Sequence, residues 1–248
     1  MIRLFKEVDF KDKYLIIPSV SVGNIGQLAI DLLISSLQLE KIGTVWSTAL
    51  IPIIGTDPYN TNSDLLSTAC ELYSSPGGNF VVLQIRSGIE KKYAKVFLSN
   101  LCELIQEHKF REVILLTSCF AFEKHNIQSS PFRYIANEQM LSEHSDKFQS
   151  LGWVALEKNA DNSANDAALY TINGGGFALK LFHELTCRKI KTLLIMKYCS
   201  EGDNVPDSLD IVKYLDDYLR MFDNLNQQIT FPPSWDLLFG GPPPIGIY

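Results

Sequence analysis

The chain has no C-x-x-C pair, no H-E-x-x-H and no G-x-S-x-G, and no Ser-His-Asp set can be picked out of it. The common zinc, metalloprotease and serine-hydrolase signatures are therefore missing. Its five cysteines, Cys70, Cys102, Cys119, Cys187 and Cys199, are odd in number and widely spread, which argues against a disulfide framework. They read as reduced, buried small hydrophobes, and sequence alone sets none of His125, His144 or His183 beside one as a base. Dense Lys/Arg blocks are absent too. With 22 basic against 28 acidic residues and a formal charge of −6, the chain is not expected to bind nucleic acid or an anionic membrane. Lys91-Lys92 and Arg188-Lys189 are isolated pairs suited to solvated helix ends. The N-terminal MIRLFKEVDFKDKY carries charges throughout, with no hydrophobic segment long enough for a signal peptide or membrane span, so cytoplasmic and nuclear residence is expected. Internal repeats and low-complexity tracts are also lacking.

What is present is ample apolar material, 46% of 248 residues, patterned for an α/β fold. Tyr14-Leu15-Ile16-Ile17 is continuously apolar, as expected of a strand covered on both faces. Gly23 and Gly26 follow, then a helix whose Leu28, Ala29, Leu32, Leu33, Ser36 and Leu37 form a core-facing stripe, with Asp31 and Gln38 off it. Thr44 to Leu50, Glu71 to Tyr73 and Phe80 to Arg86 read as strands, the last two joined by the Ser75-Pro76-Gly77-Gly78 turn. Helical spacing over Tyr93 to Glu107 precedes a buried strand over Arg111 to Cys119, and Phe177 to Lys189, Thr192 to Tyr198 and Leu209 to Phe222 repeat the helix-strand-helix order. The expectation is one α/β domain over 1–239, a mostly parallel central sheet with helices on both faces, and an extended, flexible tail over 240–248. Phe120 to Asn173 reads as polar and interrupted, with a mobile surface loop at Asn159 to Asp166.

Three places invite a chemical reading. Gly23-Asn24-Ile25-Gly26, between strand and helix, suggests a phosphate loop, yet Ser21 replaces the first glycine of G-x-G-x-x-G and Gln27 stands where a Walker lysine would. The simpler reading is a tight turn in a packed core. Gly174-Gly175-Gly176 before a helix offers free amides to an anion, or a close-packed helix entry. The acidic loop Ser200 to Asp207 sits where a parallel strand ends and offers carboxylates for a cation or a base, although Asn204, Pro206 and Asp207 also suit a helix cap. These loops sustain one rival reading, a nucleoside- or nucleotide-binding α/β enzyme using Gly23 to Gly26 and Gly174 to Gly176. The tail is a separate case: Gly240-Gly241-Pro242-Pro243-Pro244 forms a spacer before Ile245, Ile247 and Tyr248, an apolar end suited to a partner's pocket.

Four separated stretches, SVSVGNIGQLAIDLLI from Ser19, SSPFRYI from Ser129, CSEGDNVPDSL from Cys199 and PPSWDLLFG from Pro232, resemble the proteasome assembly chaperone 2 family, in unchanged order across nearly the whole chain. The resemblance implies a non-catalytic chaperone without cofactor or metal. It implies a heterodimer with a sibling subunit of related fold that binds the proteasome α-subunit ring and keeps half-built rings from off-pathway association. It further implies that a C-terminal hydrophobic-Tyr-any tripeptide enters a pocket between α subunits. Here Ile247 and Tyr248 fill the first two positions and the third is absent, which shifts the terminal carboxylate by roughly 3.5 Å along an extended chain.

Overall fold

The run Tyr14 to Pro18 lies in the middle of an eight-stranded sheet and is buried almost throughout, as its unbroken apolar character requires. The structure, a computed structural model, describes residues 2–159, 169–222 and 229–236. In chain order the strands are β1 (Ile2–Leu4), β2 (Tyr14–Pro18), β3 (Glu40–Val45), β4 (Ile54–Thr56), β5 (Leu66–Thr68), β6 (Cys70–Ser74), β7 (Phe80–Ile85), β8 (Glu112–Phe120), β9 (Phe132–Ala136) and β10 (Thr192–Cys199). The helices are α1 (Ile25–Ser36), α2 (Ala94–Glu107), α3 (Glu138–Ser150), α4 (Ala178–Cys187) and α5 (Val205–Leu219).

The main sheet runs β1-β3-β6-β7-β2-β8-β10-β9, and β4 and β5 form a separate two-stranded ribbon. The α/β architecture expected from the sequence is present, with its parallel part concentrated in the centre. β7, β2, β8 and β10 pair in parallel, whereas β1, β3, β6 and β9 join antiparallel at the flanks, so the sheet as a whole is mixed. Strand alternation sends Leu15, Ile17, Val113, Leu115, Leu194 and Met196 to a core covered by α2 and α4. Ile16, Ile114, Leu116, Leu193 and Ile195 face the opposite core, under α1, α3 and α5.

Several boundaries differ from the sequence expectation for local reasons. The strand expected over Thr44 to Leu50 is β3, displaced toward the N-terminus; after Val45 the chain turns, with Leu50 N donating to Ser47 O at 3.2 Å, and leaves Trp46 outside. β9 and α3 occupy the region read as polar and interrupted. α3 was obscured because only Met140 and Phe148 of its thirteen residues are buried, and its start is set by Asn137, whose side chain accepts from Met140 N. α5 begins earlier than Leu209, with Pro206 in its first turn. Asp31, expected off the core stripe of α1, is buried, because α1 is covered by the sheet, by α5 and by the strap 229–236. Thr230 N donates to Ser36 Oγ at 2.9 Å and Ser234 N to Pro58 O at 3.2 Å along that strap. Four of the cysteines are buried as expected; Cys187 is exposed, with its sulfur 3.7 Å from His183 Nε2. Burial pushes the Cys102 and Cys199 thiols up to about 11. Beyond Asn159, the stretch read as a mobile loop lies outside the described residues.

Candidate functional site: an apolar docking face

The carboxyl ends of β3, β7, β2, β8 and β10 all point the same way, so the loops that follow them share one end of the molecule. Both glycine loops lie there, and they are packed against the protein itself. Val22 N donates to Gly174 O at 2.9 Å, the Ser19 and Thr117 hydroxyls donate to Gly175 O at 2.8 and 2.9 Å, and Phe177 N donates to Ser19 Oγ at 3.0 Å. A Cβ at Gly23 would come within 2.7 Å of the Asn204 side chain and one at Gly26 within 2.7 Å of Leu116 O; one at Gly176 would overlap Val20 O. Gly23 and Gly176 also hold φ near +65°. Amides and space that a phosphate would need are taken by the chain's own groups, so the turn-and-packing reading of these glycines fits their geometry.

The acidic loop is similarly self-satisfied. Lys197, buried on β10, pairs with Asp207 at 2.7 Å and Asp210 at 2.8 Å, while Asn204 Nδ2 donates to Ser200 O and to Asp207 Oδ2. Val205 N donates to the Asp203 carboxylate at 3.1 Å, so the side chain meeting the first helical amide belongs to Asp203, not to Asn204 or Asp207. Among the described residues no cluster of His, Cys, Asp and Glu is arranged to hold a metal ion.

Two buried polar networks brace the segment from Asp57 through β5 against the sheet. Asp31 Oδ1 accepts from Tyr59 Oη (2.5 Å), Gln84 Nε2 (2.6 Å) and Arg86 NH2 (2.9 Å), and the guanidinium lies over the Tyr59 ring. Burial, then the neighbouring Asp31 charge, hold the Tyr59 phenol well above its ordinary range. Beside it Glu71 is bonded by Lys41, by Ser67 Oγ and Tyr73 Oη at 2.9 and 2.7 Å, and by Thr68 N at 2.8 Å. Burial alone would raise the Glu71 carboxyl; the bonds from Lys41, Tyr73 and Thr68 outweigh it and leave it below the usual carboxylate range.

On this braced frame apolar side chains face solvent. Trp46 (62% exposed), Ile53 and Ile54 (71%) line a groove of about 240 Å³ with Leu50, Pro52 and Ala69. Ribbon register places Leu66 on the same outward face as Ile54. A second apolar point lies beyond β8, where Phe122 (79%) stacks on Phe120 at 5.0 Å and Ile127 is 88% exposed. Their loop is tied internally: Lys124 Nζ donates to Ile127 O at 3.0 Å and to Ser129 O, and Arg133 donates to Ser130 O at 2.7 Å. Rigid loops presenting apolar tips suit protein docking, because little side-chain freedom remains to be lost on binding. Four strand spacings separate β3 from β8, which sets the two points roughly 19 Å apart. The other end of the sheet is different, its turns carrying exposed Lys11, Asp12, Lys109, Arg111 and Lys189.

Of the residues singled out from the sequence, the glycines and the acidic loop do meet at one end, as packing. Ile247 and Tyr248 lie outside the described residues. The apolar points and the Asp31 network were missed; the available signal was the stretch Ile42 to Thr56, which holds no ionisable residue.

Comparison with known proteins agrees with a binding role. Proteasome assembly chaperone 2 of Homo sapiens is 38% identical over 245 residues, 93% of each chain, and that of Xenopus tropicalis 35% identical over 255 residues, 98% of this chain and 97% of the relative. In fold the chain is similar to Pyrococcus furiosus PbaA, described as an archaeal homolog of proteasome-assembly chaperone, with TM-score 0.65, 14% identity and coverage of 88% of this chain and 82% of the other. It is also similar to PbaB of the same organism, an archaeal proteasome activator, with TM-score 0.57, 15% identity and coverage of 90% and 98%. The curated relatives are assembly chaperones, a non-catalytic role, and the two archaeal structures show the shared fold. With the family pattern matched from residue 15 to residue 217 and with relatives of this kind along nearly its full length, the chain is a member of the PAC2 family of proteasome assembly chaperones.

Proposed function

We propose that this chain acts as one half of a heterodimeric chaperone of 20S proteasome assembly, in the cytoplasm and nucleus. Paired with a sibling subunit of related fold, it binds the proteasome α-subunit ring and prevents off-pathway ring association. The observation that carries the reading is the carboxyl end of the sheet, where Trp46, Ile54, Phe122 and Ile127 project from a braced scaffold while the place for a small ligand is filled by Asn204, Gly175 and Ser19. That arrangement favours a protein partner over a nucleotide. The apolar C-terminal residues Ile247 and Tyr248 enter a pocket on the α ring, and tethering to a docked body raises their effective concentration.

The test is co-purification of the full chain with the sibling subunit and with α subunits. A complex holding both, without mature proteasome, is the expected result; a chain that ignores α rings overturns the proposal. Removing Ile247 and Tyr248 should weaken ring binding about tenfold or more while the heterodimer persists. Unchanged ring affinity would assign docking to the body alone.

A further inference from the structure

We propose that Ser130 is a phosphorylation site, that Lys124 and Arg133 are placed to hold the phosphate, and that the added charge releases protein docked on the Phe122–Ile127 point. The chain between β8 and β9 ends in Ser129-Ser130-Pro131, with Ser130 and Pro131 exposed. Arg133 folds back on this turn: NH1 donates to Ser130 O and to Phe132 O, both at 2.7 Å, and NH2 donates to Ser129 Oγ at 2.9 Å. Lys124 Nζ reaches the same turn, donating to Ser129 O and to Ile127 O. Among the described residues neither cation has a carboxylate within 4 Å, so both charges rest on main-chain carbonyls and one hydroxyl. In a chain with a formal charge of −6, two unmatched cations meeting at an exposed serine make a place for a dianion.

The two hydroxyls of the turn differ. Ser129 Oγ is engaged both ways, donating to Asn126 O at 2.8 Å and accepting from Arg133. Ser130 Oγ only accepts, from Phe132 N at 3.2 Å. Ser130-Pro131-Phe132-Arg133 also has the Ser-Pro-x-basic order that cyclin-dependent protein kinases accept. A residue before proline favours extended backbone, the form in which kinases take their substrates. The bonds that close the turn are few and exposed, so it opens locally at small cost. The chain's other Ser-Pro pair lacks these features: Ser75-Pro76 is followed by Gly77-Gly78, and its turn is closed by Gly78 N donating to Ser75 O at 3.0 Å. In the transfer, Ser130 Oγ bonds to the γ-phosphorus of ATP as the bond to the β,γ-bridging oxygen breaks; ADP leaves and the hydroxyl proton passes to the kinase's base.

One lysine ties the turn to the docking point. Because Lys124 Nζ bridges Ser129 O and Ile127 O, a phosphate held by it stands beside the Ile127 tip. Such a group carries about −1.5 to −2 charges at pH 7 and resists the loss of water that burial of an apolar tip requires. Release therefore rests on the docking role proposed above, whereas the modification itself does not.

The test is treatment of the full chain with a cyclin-dependent kinase and ATP, read by intact mass and peptide mapping. One phosphate at Ser130 is expected, with none at Ser75 and none on Ser130→Ala. Phosphorus NMR of the modified chain should show the phosphate titrating about half a unit or more below its ordinary second pKa near 6. Lys124→Met, which leaves the kinase pattern intact, should move that titration back toward the ordinary value. Capture of the sibling subunit or of α subunits should fall about tenfold or more on phosphorylation. A folded chain that takes no phosphate at Ser130, or a phosphate that titrates at its ordinary value, overturns the site; capture unchanged by the phosphate overturns the release. If the unmodified chain captures neither partner, the docking reading fails, and the mass and titration results still decide the site.

Discussion

Arg86 NH2 sits 2.9 Å from Asp31 Oδ1, an ion pair joining the end of β7 to the middle of α1 with both side chains largely shielded from water. Removing one partner of such a pair strands the other charge. Asp31→Leu should therefore destabilise the fold by about 3–5 kcal/mol, whereas Asp31→Leu with Arg86→Met should recover much of that loss. Urea unfolding of the two single variants and the double variant completes the cycle; a double whose loss equals the sum of the two single losses would deny the coupling.

The acid limb of stability should depend on Glu71. Its carboxyl is held below the ordinary range in the folded state, so the unfolded chain binds the proton more readily. The stabilisation is present above the unfolded value, roughly 4.3, and is lost as pH falls through the lower folded value. Melting temperatures taken from neutral to acid pH should fall steeply for the native chain. For Glu71→Gln they should start lower and fall less, and parallel curves would show that the carboxylate is not responsible.

A Cβ at Gly26 would stand 2.7 Å from the Leu116 carbonyl oxygen, across the junction of α1 with β8. Alanine in a helix ordinarily gains up to about 1 kcal/mol over glycine, less in the first turn where Gly26 stands. Here overpacking against backbone opposes it at a typical 1–3 kcal/mol, so Gly26→Ala should give a net loss of up to about 2 kcal/mol. Denaturant midpoints decide the sign, and a stabilised variant would mean the contact relaxes freely.

Phe122 and Ile127 should matter for binding and hardly for folding. Both are exposed at the tip of a loop held by its own hydrogen bonds, so Phe122→Ser and Ile127→Ser should change unfolding free energy by no more than about 0.5 kcal/mol. Capture of the sibling subunit or of α subunits should drop about tenfold or more in at least one of the two variants, as for an apolar anchor. Full retention of both partners would leave the docking role to other surfaces.

Much of the central fold was legible in the sequence because its signals are one-dimensional. Val113 to Leu116 and Leu193 to Met196 are continuous apolar runs, and the helical spacing of Phe97, Leu101, Leu104 and Ile105 repeats every third or fourth residue. α3 was not legible, since its sequence is polar wherever it faces solvent and only Met140 and Phe148 reach the core. The candidate face was harder still. Asp31 and Arg86 are 55 positions apart and Gly23 and Asn204 lie far apart in sequence, so their partnership exists only once β7, β2 and β8 are side by side. Exposure of Ile54 likewise depends on which side of the ribbon meets the body, which composition does not encode.

The position of β10 between β8 and β9 has a consequence for biosynthesis. A nascent chain that has emerged only through residue 159 contains β1 to β9, in which β1-β3-β6-β7-β2-β8 can align and β4 can pair with β5, while β8 lacks its outer neighbour and β9 has none. β9 must wait about 10 Å away, two strand spacings from β8, until Thr192–Cys199 is translated and slides between them. The right half of the sheet is thus completed by one late insertion, and α5, which packs on α1, is made later still. Ribosomal release of nearly the entire chain is a precondition for closing the molecule, which makes early termination products open-sided and ready substrates for quality control.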